Sequence, residues 1–317
     1  MNFLLAGSLA YDTILIHSGE FHHKILPEEI SRLNVAFGIQ SVSEQFGGTA
    51  GNIAYNSALL NNYPMMISCV GKENFQKYAT HLANCNIDLN HLTIIEKEKM
   101  AQAWLMTDKT NNQIIGFYPG AMIHKPIIPE NTPNLWHLSP DYTNNMLFLA
   151  KQATVLNKKY FLDPGQDIVN LLNYIDTQPS VDSCSFREAI SNASGLFVNE
   201  YEGLLIKNKL GLDNFYTELF NNTKLEFIVE TLGSKGSLLI LKDNHKIFHV
   251  TKADKIVDPT GCGDSFRAGF ISEYLKSGNL EKSVQLGTIL ASFAIEHFGG
   301  QNHKPTLKDI TKRLIIS

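Results

Sequence analysis

The sequence predicts an α/β protein built around a mainly parallel sheet, and three observations carry this prediction. From residue 135 onward, short apolar strands alternate with helical stretches, which is the pattern of parallel strands joined by crossover helices. Near the N-terminus, an apolar strand at residues 2–10 is followed by a helix that opens on two glycines. The hydrophobic content of 44% and the charged content of 18% are ordinary for a globular protein and allow a large core.

Composition and charge narrow the classes of function. The net charge is −4, which argues against a sequence-independent grip on nucleic acid. The four cysteines are widely separated and form no CxxC pair, which argues against a zinc cluster and suits a reducing cytoplasm. No apolar run approaches the roughly twenty residues of a membrane span, and residues 2–10 read as a strand rather than a signal peptide. We therefore expect a cytoplasmic protein with no nucleic-acid or membrane partner.

The individual elements follow from their apolar spacing and their flanking turns. After the first strand, residues 65–70 predict the next one, and Ala101–Thr107 with Gln113–Tyr118 predict a hairpin with a long polar loop. Further strands are predicted at Leu135–Leu138, Lys159–Leu162, 195–198, 226–230 and 237–241. Apolar residues at helical spacing over 265–276, with Gly278 at the C-cap position, predict a long helix near the C-terminus.

The turn that leads into this last helix, residues 258–264, carries the strongest chemical signal. Gly261 and Gly263 allow backbone N–H groups to converge, and a helix N-terminus adds unpaired donors and partial positive charge, so the turn suits an anion such as phosphate. Asp264 stands in the same turn and could take a proton from a hydroxyl while the amides hold the phosphoryl charge. The alternative is that Asp264 only caps the helix and the glycines only serve the turn.

Further polar and glycine-rich turns follow predicted strands elsewhere in the chain. Asp12 lies just past the first strand, where ligands bind in many α/β sheets, although its position alone favours a solvated loop. Asn199 and Glu202 follow the strand at 195–198, where a helix-start acid is the alternative reading. The turn 231–236, Thr-Leu-Gly-Ser-Lys-Gly, could point backbone amides at an anion or could be a plain hairpin turn.

Taken together, these segments resemble the ribokinase-like (PfkB) sugar and nucleoside kinases over nearly the whole chain. Asp258, Gly261, Gly263 and Asp264 match the C-terminal signature of that family, and Cys262 replaces its usual Ala. The resemblance implies a ribokinase-like three-layer αβα sandwich with a mainly parallel central sheet and a small β-sheet lid. It also implies a single domain over residues 1–317, with lid segments at roughly 12–17, 34–46 and 100–120.

The resemblance implies ATP-dependent phosphorylation of a primary hydroxyl, with Asp264 as the general base. Main-chain amides of Gly261, Cys262 and Gly263 would form the anion hole. Because a helix N-terminus lowers the pKa of a thiol, we also expect Cys262 to be sensitive to alkylation and protected by ATP. The Walker motif and the HRD and DFG signatures of other kinases are absent from the sequence.

The family also implies the binding residues. Residues expected to contact the substrate are Asp12, Gly47, Gly48, Asn52 and Phe117. Residues expected to contact ATP are Asn199, Thr231, Gly233, Lys235, Gly236, Ala291 and Gln301. Glu202 would organise Mg²⁺ through bound water, since Mg²⁺ prefers oxygen ligands and keeps several waters. For Arg267 we expect a structural ion pair with an acid of its own helix or a contact with phosphate.

The identity of the acceptor is predicted from three shorter segments. Residues 45–55, 117–122 and 300–303 are similar to the bacterial adenosine-kinase-like branch, so we expect adenosine or a related nucleoside. A free sugar such as ribose or fructose is the alternative acceptor. A non-catalytic sugar- or nucleoside-binding sensor is a further alternative, against which the intact Asp264 argues. The open edges of the lid sheet could pair with a second copy of the chain to form a homodimer.

Overall fold

A computed structural model describes residues 2–25, 34–110 and 112–316 and shows three sheets. The strands are β1 (Leu4–Ala6), β2 (Ala10–His17), β3 (Ile39–Gly47), β4 (Met65–Ile67), β5 (Cys69–Gly71), β6 (Thr93–Ile95), β7 (Ala101–Thr107), β8 (Gln113–Tyr118), β9 (Leu135–Leu138), β10 (Lys159–Leu162), β11 (Gly195–Asn199), β12 (Phe227–Thr231), β13 (Ser237–Ile240) and β14 (His245–Phe248). Asn111, in the predicted hairpin loop, and the terminal residues Met1 and Ser317 lie outside the described residues.

The central sheet has eight strands in the order β14-β13-β12-β11-β10-β9-β1-β4. The six strands from β12 to β4 run parallel, which confirms the predicted mainly parallel sheet. Strands β13 and β14 are antiparallel to their neighbours, so the expectation that 237–241 continues the parallel set is wrong. The short connection after β12, Leu232–Gly236, is a turn and leaves no room for a crossover helix.

Helices cover both faces of the central sheet. They are α1 (Thr49–Leu59), α2 (Gln76–Asn84), α3 (Thr143–Val155), α4 (Ile168–Leu171), α5 (Phe186–Asn192), α6 (Glu200–Leu210), α7 (Phe215–Asn222), α8 (Cys262–Ser277), α9 (Leu280–Ala294) and α10 (Leu307–Ile316). Successive strand residues point to opposite faces, so Phe3 and Leu5 pack with α1 and α8 while Leu4 and Ala6 pack with α3. The strands therefore read as continuous apolar runs because both faces are buried.

Two strands near the N-terminus differ from their predicted bounds. The strand predicted over 2–10 ends at Ala6, because Ser8 turns its carbonyl to the start of α1 and accepts from Ala50 N–H at 3.0 Å. The strand predicted over 65–70 is two strands, since the Ser68 carbonyl accepts from Thr93 N–H at 2.9 Å and the chain changes sheets there. Apolar periodicity alone does not show such a change of partner.

A separate four-stranded sheet, in the order β3-β2-β7-β8, stands beside the central sheet. Strand β2 is antiparallel to β3 and parallel to β7, and β7 forms the predicted hairpin with β8. The predicted lid segments 12–17, 34–46 and 100–120 overlap these strands, and their role as a lid remains a prediction. Every residue of β8 is exposed, so neither face of this strand is covered.

Candidate active site

The first turn of α8 places Asp264 beside unpaired backbone donors. Gly261 has a φ of 76° and precedes the helix, which begins at Cys262. The Cys262 amide donates to the Pro259 carbonyl at 3.1 Å. Among the described residues, the amides of Gly261, Gly263 and Asp264 have no hydrogen-bond partner, so three donors remain at the positive end of the helix.

Asp258 holds this turn in place from one side. Its Oδ1 accepts from Thr260 N–H at 2.9 Å, and its Oδ2 accepts from Gly299 N–H at 2.8 Å. The turn before α8 is therefore fastened to the turn after α9. A Cβ on Gly261 would lie 2.5 Å from the Gly300 Cα, and a Cβ on Gly300 would lie 2.6 Å from Asn52 Cγ. The two glycines thus let the α8 turn approach Asn52 closely.

Asp264 is held by Asn52 across the interface between α1 and α8. Asn52 Nδ2 donates to Asp264 Oδ2 at 2.7 Å. Burial raises the pKa of Asp264 to about 7, while the Asn52 hydrogen bond and the Arg267 charge act in the opposite direction. Asp264 Oδ1 has no hydrogen-bond partner in the part of the chain that the structure describes. A carboxylate with a pKa near neutrality and one free oxygen suits a general base.

Asp12 faces the same region from the separate sheet. It lies on β2, and a Cβ on Gly47 would meet its Oδ2 at 2.1 Å, so Gly47 makes room for the carboxylate. Gly48 has a φ of 81°, and a Cβ there would lie 2.6 Å from the backbone of Ser8. Burial, followed by the charge of Asp258, raises the pKa of Asp12 to about 6. Both glycines are therefore explained by the close approach of the chain to itself.

A buried ion pair joins α8 to the end of β10. Arg267 Nε donates to Asp163 Oδ2 at 2.8 Å, and Arg267 Nη1 donates to the Gly263 carbonyl at 3.3 Å. The expected structural ion pair is present, but the prediction of a partner on the same helix is wrong, because the acid comes from the turn after β10. That partner is invisible to helical spacing, since 104 residues separate the two side chains. The predicted phosphate contact stays a prediction.

Asn199 and Glu202 form a capping box at the start of α6. The Asn199 side chain accepts from Glu202 N–H at 2.8 Å, and the two Glu202 oxygens accept from Asn199 N–H and Nδ2. Glu202 is buried, which raises its pKa, and the nearby Asp163 charge adds to the effect. Each of its oxygens keeps a second lone pair, so Glu202 fits a role toward Mg²⁺ through bound water better than direct ligation.

The turn after β12, residues 232–236, is adjacent to that capping box. Asn199 and Thr231 are paired in register at the carboxyl ends of β11 and β12. Gly233 has a φ of 57° and faces open space, whereas a Cβ on Gly236 would lie 1.9 Å from the Phe248 carbonyl. Lys235 is exposed, with its Nζ 3.5 Å from Glu200. The turn therefore lies beside Asn199 at the sheet edge, and its role toward ATP remains a prediction.

Comparison with known proteins places the chain in a family. The model of the pfkB family carbohydrate kinases matches residues 11–142 and 146–307. The chain belongs to the pfkB family of carbohydrate kinases. It is 34% identical over 292 residues to a nucleoside kinase of Methanocaldococcus jannaschii, covering 90% of this chain and 91% of that protein. Within the family the chain is an ATP-dependent sugar or nucleoside kinase.

Solved structures of pfkB nucleoside kinases confirm the ribokinase-like fold. The crystal structure of the Methanocaldococcus jannaschii nucleoside kinase, a member of the ribokinase family, superposes with a TM-score of 0.84 at 31% identity and covers 100% of this chain and 99% of that one. The Burkholderia thailandensis nucleoside kinase in complex with inosine superposes with a TM-score of 0.82 at 26% identity, covering 99% and 97% of the two chains.

Gln301 is buried behind Asn52 in this pfkB kinase. Its side chain is 3% exposed, and its Nε2 donates to Asn52 Oδ1 at 2.9 Å and to the Tyr78 hydroxyl at 2.7 Å. Its Oε1 lies 2.9 Å from His81 Nε2. These contacts use all the polar atoms of its side chain and lend no support to an ATP contact, so that role of Gln301 stays a prediction.

A groove lies beside α9, the helix that carries Ala291. This cavity of about 820 Å³ lies between the residues after β14, α9 and α10, and its lining includes Thr251, Thr288 and Ile289. Ala291 is half-buried against the core and is not among the lining residues described. The predicted role of Ala291 toward adenine therefore stays a prediction, with Thr288 one turn earlier on the groove.

The surroundings of Cys262 oppose the predicted reactivity. Burial, together with the charges of Asp258 and Asp264, raises the pKa of Cys262 to about 12. Burial is the larger cause and the two carboxylates add to it, so the thiolate is disfavoured. Cys262 is a small residue in a tight turn, and its amide already serves the Pro259 carbonyl.

Phe117 shares a cross-strand row with Asp12. Gln45, Asp12, Ala103 and Phe117 are directly paired across β3, β2, β7 and β8. Directly paired residues point to the same face of a sheet, and two strand spacings put Phe117 about 10 Å from Asp12. Phe117 is 50% exposed, so its ring is available to a ligand.

Sequence reasoning missed the contacts by which Asp163, Tyr78 and Gly300 support Asn52 and Asp264 from behind. The pair Gly299–Gly300 was visible as a glycine-rich turn, and a close backbone approach could have been inferred from it.

In the described part of the chain, no helix is long and apolar enough to span a membrane.

Proposed function

We propose that this pfkB kinase transfers the γ-phosphate of ATP to a primary hydroxyl of a nucleoside, with adenosine as the first candidate. The observation that carries the proposal is the first turn of α8. There the Asp264 carboxylate, held by Asn52, lies in the same turn as the free amides of Gly261 and Gly263. Removal of a proton and stabilisation of phosphoryl charge are the two demands of this reaction that side chains and backbone can meet.

In the proposed reaction Asp264 Oδ1 accepts the proton of the acceptor hydroxyl. The hydroxyl oxygen forms a bond to the γ-phosphorus, the bond from that phosphorus to the bridging oxygen breaks, and ADP leaves. Free amides of the α8 turn donate to the transferring phosphoryl oxygens. Because the Cys262 amide is shared with Pro259, Gly261 and Gly263 carry most of the predicted anion hole.

The proposed acceptor site lies between the separate sheet and the start of α1. Asp12 supplies a carboxylate for sugar hydroxyls, and Asn52 lies across from it beside Asp264. The aromatic ring of Phe117, in the same row as Asp12, suits a purine face better than a bare sugar. The similarity to nucleoside kinases, including one solved in complex with inosine, supports a nucleoside over a free sugar.

ATP is the proposed phosphate donor, with Mg²⁺ as its metal. Asn199, Thr231, Gly233, Lys235 and Gly236 lie together on adjacent turns at the carboxyl edge of β11 and β12. A relative of this chain has been solved in complex with ADP-inosine, at 26% identity and a TM-score of 0.79. Mg²⁺ would neutralise phosphate charge, and the buried carboxylate of Glu202 would receive its bound waters.

A homodimer through the separate sheet is part of the proposal. The face opposite Asp12 leaves apolar side chains exposed, namely Val42, Trp104, Ile114 and Tyr118. An uncovered apolar sheet face with open edges on β3 and β8 favours pairing with a second copy. A reducing cytoplasmic location also remains a prediction, and all four cysteines are free.

An acceptor panel tests the proposed function. ADP release would be measured with Mg²⁺ and ATP in the presence of adenosine, inosine, ribose or fructose. We expect turnover with the nucleosides and at least about tenfold lower kcat/KM with the free sugars, since the base contact is lost. A higher kcat/KM with ribose or fructose would show that the acceptor is a free sugar and not a nucleoside. Nucleoside binding without any ADP release would support the sensor instead.

A further inference from the structure

A network of hydrogen-bonded side chains runs behind Asn52 and ends at Asp264. Gln301 Nε2 donates to both Asn52 Oδ1, at 2.9 Å, and the Tyr78 hydroxyl, at 2.7 Å. Asn52 Nδ2 in turn donates to Asp264 Oδ2 at 2.7 Å. The polar end of His81 lies at the far side of Gln301, with Nε2 at 2.9 Å from Oε1.

The direction of every hydrogen bond in this network follows from one backbone carbonyl, that of Gly47. The Tyr78 hydroxyl donates to the Gly47 carbonyl at 2.7 Å, and a carbonyl can only accept. A hydroxyl has a single hydrogen, so Tyr78 must accept from Gln301, and the Gln301 amide can have only one orientation. Its second Nε2 hydrogen then points at Asn52 Oδ1, which turns the Asn52 amide nitrogen toward Asp264.

We propose that Tyr78 and Gln301 are positioning residues that fix the direction of the Asn52 amide and thereby present Asp264 with Oδ1 free for the acceptor hydroxyl. Only the last part of this inference, that Oδ1 faces the acceptor hydroxyl, rests on the proposed function. The middle of this network is shielded from solvent, because Tyr78 is fully buried and Gln301 and Asn52 are 3% and 4% exposed. Water therefore cannot replace either partner.

The consequence for Asp264 follows from the alternative orientation of Asn52. If the amide turned, Asn52 Oδ1 would face Asp264 Oδ2, and two acceptors in contact favour a protonated carboxyl. The fixed amide therefore favours the ionised form. The other ionisable groups around Asp264 are Arg267 on α8, Asp163 after β10, Asp12 on β2, Asp258 and Cys262 in the preceding turn, and Tyr78 on α2.

The test measures the pKa of Asp264 directly in the full chain. Aspartate labelled with ¹³C at its carboxyl would be incorporated, and the Asp264 signal would be assigned by its loss in Asp264→Asn. We expect Tyr78→Phe and Gln301→Met each to raise the pKa of Asp264 by about one unit, the loss of one charge-assisted hydrogen bond. The acidic limb of the kcat profile should move upward by the same amount.

His81→Phe is the matched control, since it removes the hydrogen-bonding group at the far end of the network while it keeps a ring beside Phe46. We expect the pKa of Asp264 to stay within about 0.3 units of wild type in this variant, because Tyr78 and the Gly47 carbonyl still set the direction. Unchanged pKa values in Tyr78→Phe and Gln301→Met, or an equal shift in His81→Phe, would overturn the proposal. Because the titration needs no turnover, absence of kinase activity would refute the proposed function and leave this test decisive.

Discussion

Arg267 and Asp163 form a two-pronged ion pair inside the protein. Arg267 Nε lies 2.8 Å from Asp163 Oδ2, and Nη2 lies 3.3 Å from Oδ1, with side chains that are 8% and 3% exposed. Arg267 also donates to the Gly263 carbonyl at 3.3 Å. The pair therefore fastens the turn that carries Asp264 to the carboxyl end of β10.

Arg267→Met should destabilise the fold strongly. The variant leaves the buried Asp163 carboxylate without its counter-ion, which costs about 3–5 kcal/mol of unfolding free energy. Urea unfolding followed by circular dichroism measures the change. Arg187→Met is the control, because it removes a similar but exposed pair with Asp176, and such pairs contribute little. Equal losses of unfolding free energy in the two variants would show that burial does not increase the contribution of the Arg267–Asp163 pair to stability.

Asp264→Asn should make the protein more stable at alkaline pH. Burial raises the pKa of Asp264 to about 7 from 3.8, so the folded chain binds this proton more tightly than the unfolded chain. Wild type therefore loses stability as the pH rises from about 4 through 7, and the neutral Asn does not. The Tm difference between variant and wild type should open over that window and level off above it. A difference that does not depend on pH would contradict the assigned cause.

Gly300→Ala should impair both stability and turnover. Its Cβ would lie 2.6 Å from Asn52 Cγ, so either Asn52 or the turn must move. Overpacking of this kind costs about 1–3 kcal/mol, and displacement of Asn52 would release Asp264. Gly38→Ala is the control, since a Cβ there meets nothing within 4 Å. Normal kcat and Tm in Gly300→Ala would show that the contact with Asn52 is not required.

The elements predicted from sequence are those whose signal is local. Leu135–Leu138, Lys159–Leu162 and both strands of the β7–β8 hairpin were predicted with the observed bounds, because apolar runs and polar turns delimit them. The change of sheet at Ser68 and the antiparallel direction of β13 depend on partners distant in the chain. Neither feature can be recognised from the spacing of apolar residues.

The same division holds for the candidate site. The signature around Asp264 and the glycines before α1 are short motifs, so their resemblance to the family could be recognised. Gln301 was placed at the nucleotide because its turn resembles the family, but its partners come from α1 and α2, about 220–250 residues earlier. The Asp163 partner of Arg267 was missed for the same reason.

Cys262 should resist alkylation at neutral pH. Its raised pKa of about 12 leaves almost no thiolate, which is the reactive form. Iodoacetamide labelling at pH 7.5, followed by mass spectrometry of the peptide, measures the rate with and without ATP. Cys262→Ala should keep the wild-type kcat within about twofold, since the free amides of the turn belong to Gly261, Gly263 and Asp264 and the Cys262 side chain has no part in the proposed reaction. Rapid labelling that ATP blocks would contradict the assigned environment.

The kcat of Asp264→Asn with ATP, Mg²⁺ and a saturating nucleoside tests the account most directly. Because Asn cannot accept the proton, we expect kcat to fall by about a hundredfold or more while the Kd for ATP stays close to wild type. Asp243→Asn, on the exposed turn between β13 and β14, is the matched control and should keep full activity. Turnover of Asp264→Asn at a rate near that of wild type would contradict the assignment of Asp264 as the base.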